Sequence, residues 1–353
     1  MKYDIVIIGG GIAGSFAAYG AAKYGLKCIV IEASKKPNGA TAVSGGIITR
    51  LLDNWVDAEL ADKSIRLIQE LLGKGYKDYV NRGFVCIEDI DDAINDFNRF
   101  RGLISDLKLL DQWTAADNWP YLRFYDDEAA LFSPSDITLE PPKILGVIWE
   151  RLMDLGVEFS LGCRAKKIDI KDRGVKGVDT CNSHIETENV IVALGPWNRE
   201  FLAKHGITLE SWLLGVPLYR FEVNVDVDIG LWDESEYTYW RPSLNSTLVG
   251  GCYDAFPIMN ANDGFRDPPR SSIENVLIEF RYRFKFDKWR LAEYWSGPIS
   301  LYRRYRPFVG GVGNIDGLYV IEGLAGYGLA RGPAKAVELS KYISNRIFLN
   351  TGD

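Results

Sequence analysis

The chain has 353 residues, a formal net charge of −7, 47% hydrophobic residues and 25% charged residues. That balance is that of a globular protein of one large or two ordinary domains with ample core, and it excludes a low-complexity or disordered chain. The acidic excess argues against nucleic acid as a partner, and no apolar run reaches the length of a membrane span.

The first stretch organises the rest. Asp4-Ile-Val-Ile-Ile-Gly9-Gly-Gly11-Ile12-Ala13-Gly14 begins with a continuous apolar run, Ile5 to Ile8, as expected of a parallel strand covered on both faces. Gly9, Gly11 and Gly14 fit G-x-G-x-x-G. Gly9 permits the tight turn, Gly11 lets a pyrophosphate approach the backbone, and Gly14 lets the following helix pack on the strand. That helix is rich in alanine, and its N-terminal N–H groups and dipole suit phosphates. A second apolar strand, Cys28 to Ile31, ends in Glu32, an acid about 20 residues beyond the glycines and placed to accept from a ribose. The stretch predicts a dinucleotide, disfavours NADP and leaves FAD and NAD open.

Lys35 to Gly46 is polar and small, ending Thr41-Ala42-Val-Ser44-Gly45-Gly46, which permits close approach to a planar or charged ligand. Apolar spacing predicts a helix over 57–77. A strand is expected at Gly83 to Glu88, a helix over Asp91 to Leu110, and an irregular aromatic insertion from Trp113 to Asp136. Residues 140–154 read as an amphipathic helix started by Pro141 and Pro142. Strands follow at Val157–Leu161, Arg164–Ile170 and Val175–Thr180. His184 falls in an exposed polar segment after them, and Asn189 to Ala193 is another apolar strand running into Leu194-Gly195-Pro196-Trp197. From Val216 to Ser296 the pattern becomes aromatic and alternating, interrupted by a helix near Ser272 to Phe284, which reads as an α+β substrate-binding layer. Gly317 to Ile321 is a last strand. It is followed by a glycine run through Gly326, Tyr327, Gly328, Leu329, Ala330 and Arg331, then a helix starting near Leu329 with Pro333 in its first turn.

The five cysteines are scattered. Cys28 and Cys163 are expected as buried thiols, which points to a reducing, cytoplasmic setting. The chain starts straight into a strand, so no signal peptide is expected. With only His184 and His205, no multi-histidine metal site is expected.

The N-terminal fingerprint, Ser44-Gly45-Gly46, Val192-Ala193-Leu-Gly195-Pro-Trp197 and the terminal glycine run occur in an order that resembles the D-amino-acid oxidase family of flavoproteins, with glycine oxidase and sarcosine oxidase. The chain is similar also to the beta subunit of dye-linked proline dehydrogenase. The resemblance covers nearly the whole chain and implies an α/β fold: a Rossmann-like FAD-binding domain (1–80, 140–215 and 300–353) interleaved with an α+β antiparallel-sheet substrate domain (81–139 and 216–299).

It implies non-covalent FAD, with Gly9, Gly11, Ile12, Ala13 and Gly14 around the pyrophosphate and Glu32 with Ala33 at the adenosine ribose. Ser44, Gly45 and Gly46 lie along the isoalloxazine, Thr41 and Ala42 also bind the cofactor, and Ala165 lies at the adenine. Gly195 and Pro196 close over the nucleotide, Ala193 and Trp197 also bind the cofactor, and Gly326, Tyr327, Gly328, Leu329 and Ala330 meet the flavin ring. The implied reaction takes a hydride from the carbon beside the nitrogen of a small amine or amino acid to flavin N5. Alternatives are oxidation of a hydroxy acid or polyol phosphate, or service as the flavin subunit of a larger dehydrogenase. A homo-oligomer is also compatible.

Tyr239 matches a pocket tyrosine, on one strand face with Tyr237 and Arg241. Trp295-Ser-Gly297 and Pro307-Phe-Val-Gly310 match a motif whose carboxylate-binding arginine falls at Ile299 here. Arg303, Arg304, Arg306 or Arg331 is therefore expected to hold an anionic substrate group, and an extended 303–306 would put Arg304 and Arg306 on one face.

Overall fold

The computed structural model describes residues 2–73, 80–252 and 254–351. A six-stranded sheet lies in the order Phe308–Gly311, Leu318–Glu322, Val190–Val192, Ile5–Ile8, Cys28–Glu32 and Glu158–Leu161, parallel except for its first pair. Its central strands are apolar throughout because both faces are covered. Ile5, Ile7, Val30, Ile191 and Ile321 pack against the helices Ile12–Lys23 and Gly328–Thr351. Val6, Ile8, Ile29, Ile31 and Val192 pack on the other face against Ile168, Val175 and Val178 of a three-stranded antiparallel sheet. The two helices touch closely: a Cβ on Gly20 would lie 2.8 Å from the Ser340 Cβ, and Ser340 Oγ donates to the Ala17 carbonyl at 2.8 Å.

A ten-stranded sheet forms the second layer. Its path runs Phe256–Ile258, Trp212–Val223, Thr247–Cys252, Thr238–Ser243, Gly230–Asp233, Val80–Asp89, Glu128–Leu139 and Ile47–Ile48, while Trp289–Leu301 and Lys108–Asp111 pair to the side. One face carries Val85, Ile87, Phe221, Leu231 and Trp240, packed against Phe280 of the helix Arg270–Arg283; Phe221 and Phe280 stack with centroids 4.0 Å apart. The cross-strand neighbours Trp232 and Tyr239 mark the opposite face, and Tyr239 lies against Gly45. The second sheet is covered by the helix Arg270–Arg283 on one side, and on the other by the strip near Gly45 at one end and by Ala93 and Phe100 of the helix Ile90–Phe100 at the other.

Several expectations need correction. The helix expected over Asp91 to Leu110 stops at Phe100, where Arg101 and Gly102 turn the chain into the strand Lys108–Asp111. The stretch expected to be irregular, Trp113 to Asp136, contains the helix Gln112–Asn118, capped by Asp111, and most of the strand Glu128–Leu139. Ser133, Ser135 and Asp136 hide that strand's apolar pattern. They are there to meet the buried Arg50, whose Nε donates to Asp136 Oδ1 at 2.6 Å. The helix expected over 57–77 is Trp55–Leu72, and positions 74–77 lie outside the described residues. His184 is exposed as expected, but in a strand, His184–Glu186.

Cys163 is not a thiol. It is joined to Cys181 across a Cα separation of 5.6 Å, because the segment after Glu158–Leu161 passes beside the turn after Gly174–Asp179. This removes the ground for a reducing compartment that rested on free cysteines. Cys28, Cys86 and Cys252 are free and buried. Among the described residues no helix is long and apolar enough to cross a membrane.

Arg283 is wholly buried and ties three elements together. Its guanidinium donates to Glu128 at 2.7 and 2.8 Å and to Asp233 at 2.5 and 3.0 Å. Removing one partner would leave buried charge uncompensated. Arg283→Ala is expected to lower stability by about 3–5 kcal/mol, read as a lower denaturant midpoint with unchanged m-value; a loss below 1 kcal/mol, roughly that of a surface pair, would contradict the triad's role.

Candidate functional site

The turn after the first strand is set by steric contact. Gly9 has φ +107°, and a Cβ on Gly14 would lie 1.8 Å from the Gly9 carbonyl oxygen. The helix Ile12–Lys23 can start there only because both residues are glycine. Its N-cap, Gly11, has no side-chain cap, and the Ile12 N–H donates to Thr41 Oγ1 at 3.1 Å. Glu32, at the end of its strand, accepts from the Gly10 N–H at 2.7 Å and from the Ser34 N–H at 2.8 Å. Each oxygen keeps an acceptor position for a further partner. The Cys163 N–H donates to the Glu32 carbonyl at 3.0 Å, which draws the buried Ala165 toward the same end of the sheet. Trp149 Nε1 donates to the Gly10 carbonyl at 2.8 Å and fixes the turn from outside.

The small-residue stretch follows. Gly39–Ala42 is a short helix, and Ser44 Oγ donates to the Thr41 carbonyl at 2.8 Å. Gly46 has φ +75°, and a Cβ there would meet the Leu139 carbonyl oxygen at 2.2 Å and Arg241 Nε at 2.7 Å. Arg241 Nε donates to the Gly45 carbonyl at 2.5 Å, and its Nη1 donates to Glu140 at 2.7 Å. Burial alone would raise the Glu140 carboxyl, but the Arg241 charge and hydrogen bonds hold it below the usual range. Tyr239 lies on the other side of Gly45: a Cβ on Gly45 would be 3.3 Å from the Tyr239 ring. Trp232 stacks on Tyr239 with centroids 6.5 Å apart. Tyr237 is not on this face in the way expected, because its φ of 51° places it before the strand Thr238–Ser243.

Trp295 Nε1 donates to the Val43 carbonyl at 2.9 Å, so the Trp-x-Gly segment roofs the same stretch. Between them is a cleft of about 260 Å³ lined by Ala42, Val43, Arg220, Phe265, Glu293, Trp295 and Ser296. Sequence reasoning does not single out Arg220. The available signal is alternation along the strand Trp212–Val223: Phe221 points to the aromatic core, so Arg220 points to the cleft. Arg220 pairs with Glu293 at 3.0 Å and lies 5.6 Å from the Trp295 ring, while its buried Nε has no hydrogen-bond partner among the described residues.

Gly195 has φ +55° and opens a 3₁₀ turn, Gly195–Trp197, directly after the Ala193 end of the central strand. The Trp197 ring lies 3.8 Å from where a Cβ on Gly39 would be, and its Nε1 donates to Asn262 at 3.0 Å. Asn198, also missed in the sequence, is wholly buried. It accepts from the Leu194 N–H at 2.8 Å and donates to the Ile321 carbonyl at 2.7 Å and to Glu322 at 2.8 Å. Burial pushes the Glu322 carboxyl up, opposed by Asn198.

The last helix starts at Gly328, one residue earlier than expected, so Pro333 lies in its second turn. Gly326 and Gly328 face open space, and Leu329 and Ala330 are buried. A Cβ on Gly332 would lie 3.5 Å from Ile12, so the starts of the two long helices converge.

The expected arginines do not gather. Arg331 is buried, its Nε donating to Asp57 at 2.7 Å and its Nη2 at 2.5 Å, with its guanidinium 4.6 Å from the Tyr327 ring. Burial alone would raise the Asp57 carboxyl, yet Arg331 and Asn54 hold it below the usual range. Residues 303–305 form a 3₁₀ turn with Arg304 at φ 54°, not an extended strand. Arg303, Arg304 and Arg306 are all exposed, and Arg303 is paired with Glu210.

The cradle fits a dinucleotide bearing a flat ring system. Glycines line the turn, the N-cap Gly11 offers no side chain and only Thr41 Oγ1 meets the first helix start, Glu32 has acceptor capacity, and Tyr239 and Trp295 flank a strip of small residues. Residues 4–341 match the family described as FAD dependent oxidoreductase. N-methyl-L-tryptophan oxidase of Escherichia coli is 22% identical over 276 residues, 74% of this chain and 73% of that protein. Among solved structures, L-proline dehydrogenase from P. horikoshii superposes with a TM-score of 0.85 at 19% identity, over 98% of this chain and 94% of that one. Glycine oxidase from Bacillus cereus superposes with a TM-score of 0.78 at 20% identity, over 98% and 96%. With a match running from the first strand into the last helix, the chain belongs to the FAD dependent oxidoreductase family, and its cofactor is FAD.

Proposed function

We propose that this FAD-dependent oxidoreductase oxidises a small amine or amino acid, and that Arg220 holds an anionic group of the substrate in the cleft beside Ala42 and Val43. The observation that carries the reading is the convergence of Arg220, Trp295 and Tyr239 on the strip Ala42 to Gly45. Similarity to enzymes named for N-methyl-L-tryptophan, glycine and L-proline supports an amino-acid substrate.

FAD, when bound, supplies the two-electron acceptor that takes a hydride from the carbon beside the substrate nitrogen. The substrate's own nitrogen lone pair assists that step, so the chain need not provide a strong base. Its residues would bind and orient. Gly9, Gly11, Ile12, Ala13 and Gly14 would hold the pyrophosphate, and Glu32, with Ala33 beside it, the ribose. Thr41 to Gly46 would lie along the ring. Ala165 would meet the adenine, and Ala193, Gly195 and Trp197 would close over the nucleotide. Gly326 to Ala330 would place the N-terminal dipole of the last helix toward the ring, where positive potential favours the reduced, more negative state. Tyr239 and Trp295 would wall the substrate and exclude water. The same reading divides the chain into an FAD-binding part (1–80, 140–215 and 300–353) and a substrate part (81–139 and 216–299). The two large sheets support that division, except that strand Ile47–Ile48, the start of Trp212–Val223 and the end of Trp289–Leu301 belong to the second sheet.

The choice of arginine follows from energetics. Arg331 would have to leave a buried carboxylate, a change costing about 3–5 kcal/mol. Arg220 would exchange Glu293, whose side chain is 59% exposed, and such an exposed pair is worth only about 0–1 kcal/mol. Arg220→Ala is expected to raise KM and to cost about 1.5–3 kcal/mol in kcat/KM on an acidic substrate, with FAD content unchanged. Unchanged kinetics would remove Arg220 from the site. Anaerobic mixing should bleach the flavin with amines or amino acids and not with hydroxy acids; the reverse would overturn the substrate class.

Glu32→Ala should weaken FAD binding by roughly 1–3 kcal/mol, measured by titration of the apoprotein. Equal affinity would place the ribose elsewhere. No cysteine follows Cys252, and acid precipitation should release intact FAD into the supernatant; flavin remaining with the pellet would show a covalent link.

A further inference from the structure

A second polar group, unrelated to the cleft arginine, lies on the face of the ten-stranded sheet that carries Trp232 and Tyr239, opposite Phe280. Cys86 and Glu88 alternate onto one face of the strand Val80–Asp89. Glu234 follows the parallel neighbour Gly230–Asp233, and its N–H donates to the Ile87 carbonyl at 2.9 Å, which seats it beside them. One ligand atom from each of the three residues lies within 4.8 Å of the others.

Two features separate this group from an ordinary acidic surface. Glu88 is only 3% exposed, and its Oε1 has no hydrogen-bond partner among the described residues. Cys86, only 5% exposed, adds a soft donor that an acidic surface has no use for. The charges acting on Glu88 are unfavourable: Asp96, Glu234 and Asp92 are opposed by Arg99, which is itself paired with Asp96 at 3.0 Å. Burial, followed by these acids, pushes the Glu88 carboxyl up to about 8. Burial likewise raises the Cys86 thiol well above its ordinary value. Glu234 is exposed and gives access from solvent.

We propose that Cys86, Glu88 and Glu234 form a binding site for a divalent metal ion of borderline softness, of which zinc is the type. One thiolate and two carboxylates supply three anionic ligands, leaving a further position to water or Asp96. An organic ammonium would gain nothing from the thiol. Metal–sulfur and metal–oxygen bonds form as the Cys86 thiol gives up its proton to solvent, so binding is accompanied by proton release. The ion would also fix Glu234, whose Oε2 accepts from Trp232 Nε1 at 3.3 Å, and Trp232 stacks on Tyr239.

The test is made on the FAD-loaded chain after chelation and dialysis. Zinc is expected to bind as a single ion with proton release, and cobalt(II) should give ligand-field bands at wavelengths longer than the flavin absorbs. Cys86→Ser and Glu234→Gln should each weaken binding by on the order of tenfold or more, and Cys86→Ser should remove the sulfur-to-cobalt charge-transfer band. Glu234 is exposed, so its variant should fold even where a buried substitution does not, and FAD content reports on both. Absence of stoichiometric binding to the wild-type chain, or equal binding by correctly loaded Glu234→Gln, overturns the site. Because the readouts are metal content, protons and cobalt spectra, a failure here is distinct from a failure of the amine-oxidation reading.

Discussion

The contact between Gly14 and Gly9 fixes the geometry on which the site depends. With a Cβ at either position the first helix could not start flush against the end of the central strand. Lifting that helix would move its N-terminus, and with it the start of the last helix, which packs on Ile12 through Gly332. Two long helices thus begin at one place, at the carboxyl ends of the parallel strands, where open α/β sheets bind ligands. Their dipoles point the same way, and neither Gly11 nor the open glycines 326 and 328 places a side chain in front of them.

Ile48, Ile137 and Leu139 of the second layer join the apolar core of the first, and at the small-residue strip the grip is by hydrogen bonds. On the proposed reading the strip Ala42 to Gly46 lies along the flavin ring, and its residues are small, with only Val43 packed by its side chain, against Gly297. Arg241 grips it by the Gly45 carbonyl and is itself held by Glu140. Trp295 does the same at the Val43 carbonyl. Hydrogen bonds to main-chain oxygens position a backbone without covering it, as hydrophobic packing could not.

Much of this was legible in the sequence because local chemistry dictated it. The glycine spacing, the acid after the second strand and the continuous apolar strands each have one structural consequence that needs no distant partner. Legibility failed where a residue's role is set by a neighbour far along the chain. Asp136 reads as a loop acid, but it is buried in a strand because Arg50 meets it across 86 positions. Arg331 reads as a free cation beside the flavin strip, but Asp57 claims it. Asn198 draws no notice in the sequence, yet it bonds three groups from two segments. Cys163 reads as an apolar strand thiol, but a turn 18 residues on brings Cys181 to it. In each case the missing information was a tertiary pairing that changes the cost of burying a polar group.

The same distinction separates the charges that build this protein from those that can work in it. Arg50, Arg241, Arg283 and Arg331 are buried with carboxylates already in place. Desolvation has been offset once, during folding, and releasing any of these carboxylates to a ligand would expose the full penalty of an unpaired buried charge. Arg220 stands differently. It is held by a carboxylate that water already screens, its Nε has no hydrogen-bond partner among the described residues, and a tryptophan face supports its guanidinium. On the proposed reading, a substrate anion that replaced Glu293 would also displace water from the pair, so the interaction would strengthen as the cleft filled. An anchor of this kind can be recognised by how little its resident partner contributes, a property that depends on exposure and that a run of arginines in a sequence does not reveal.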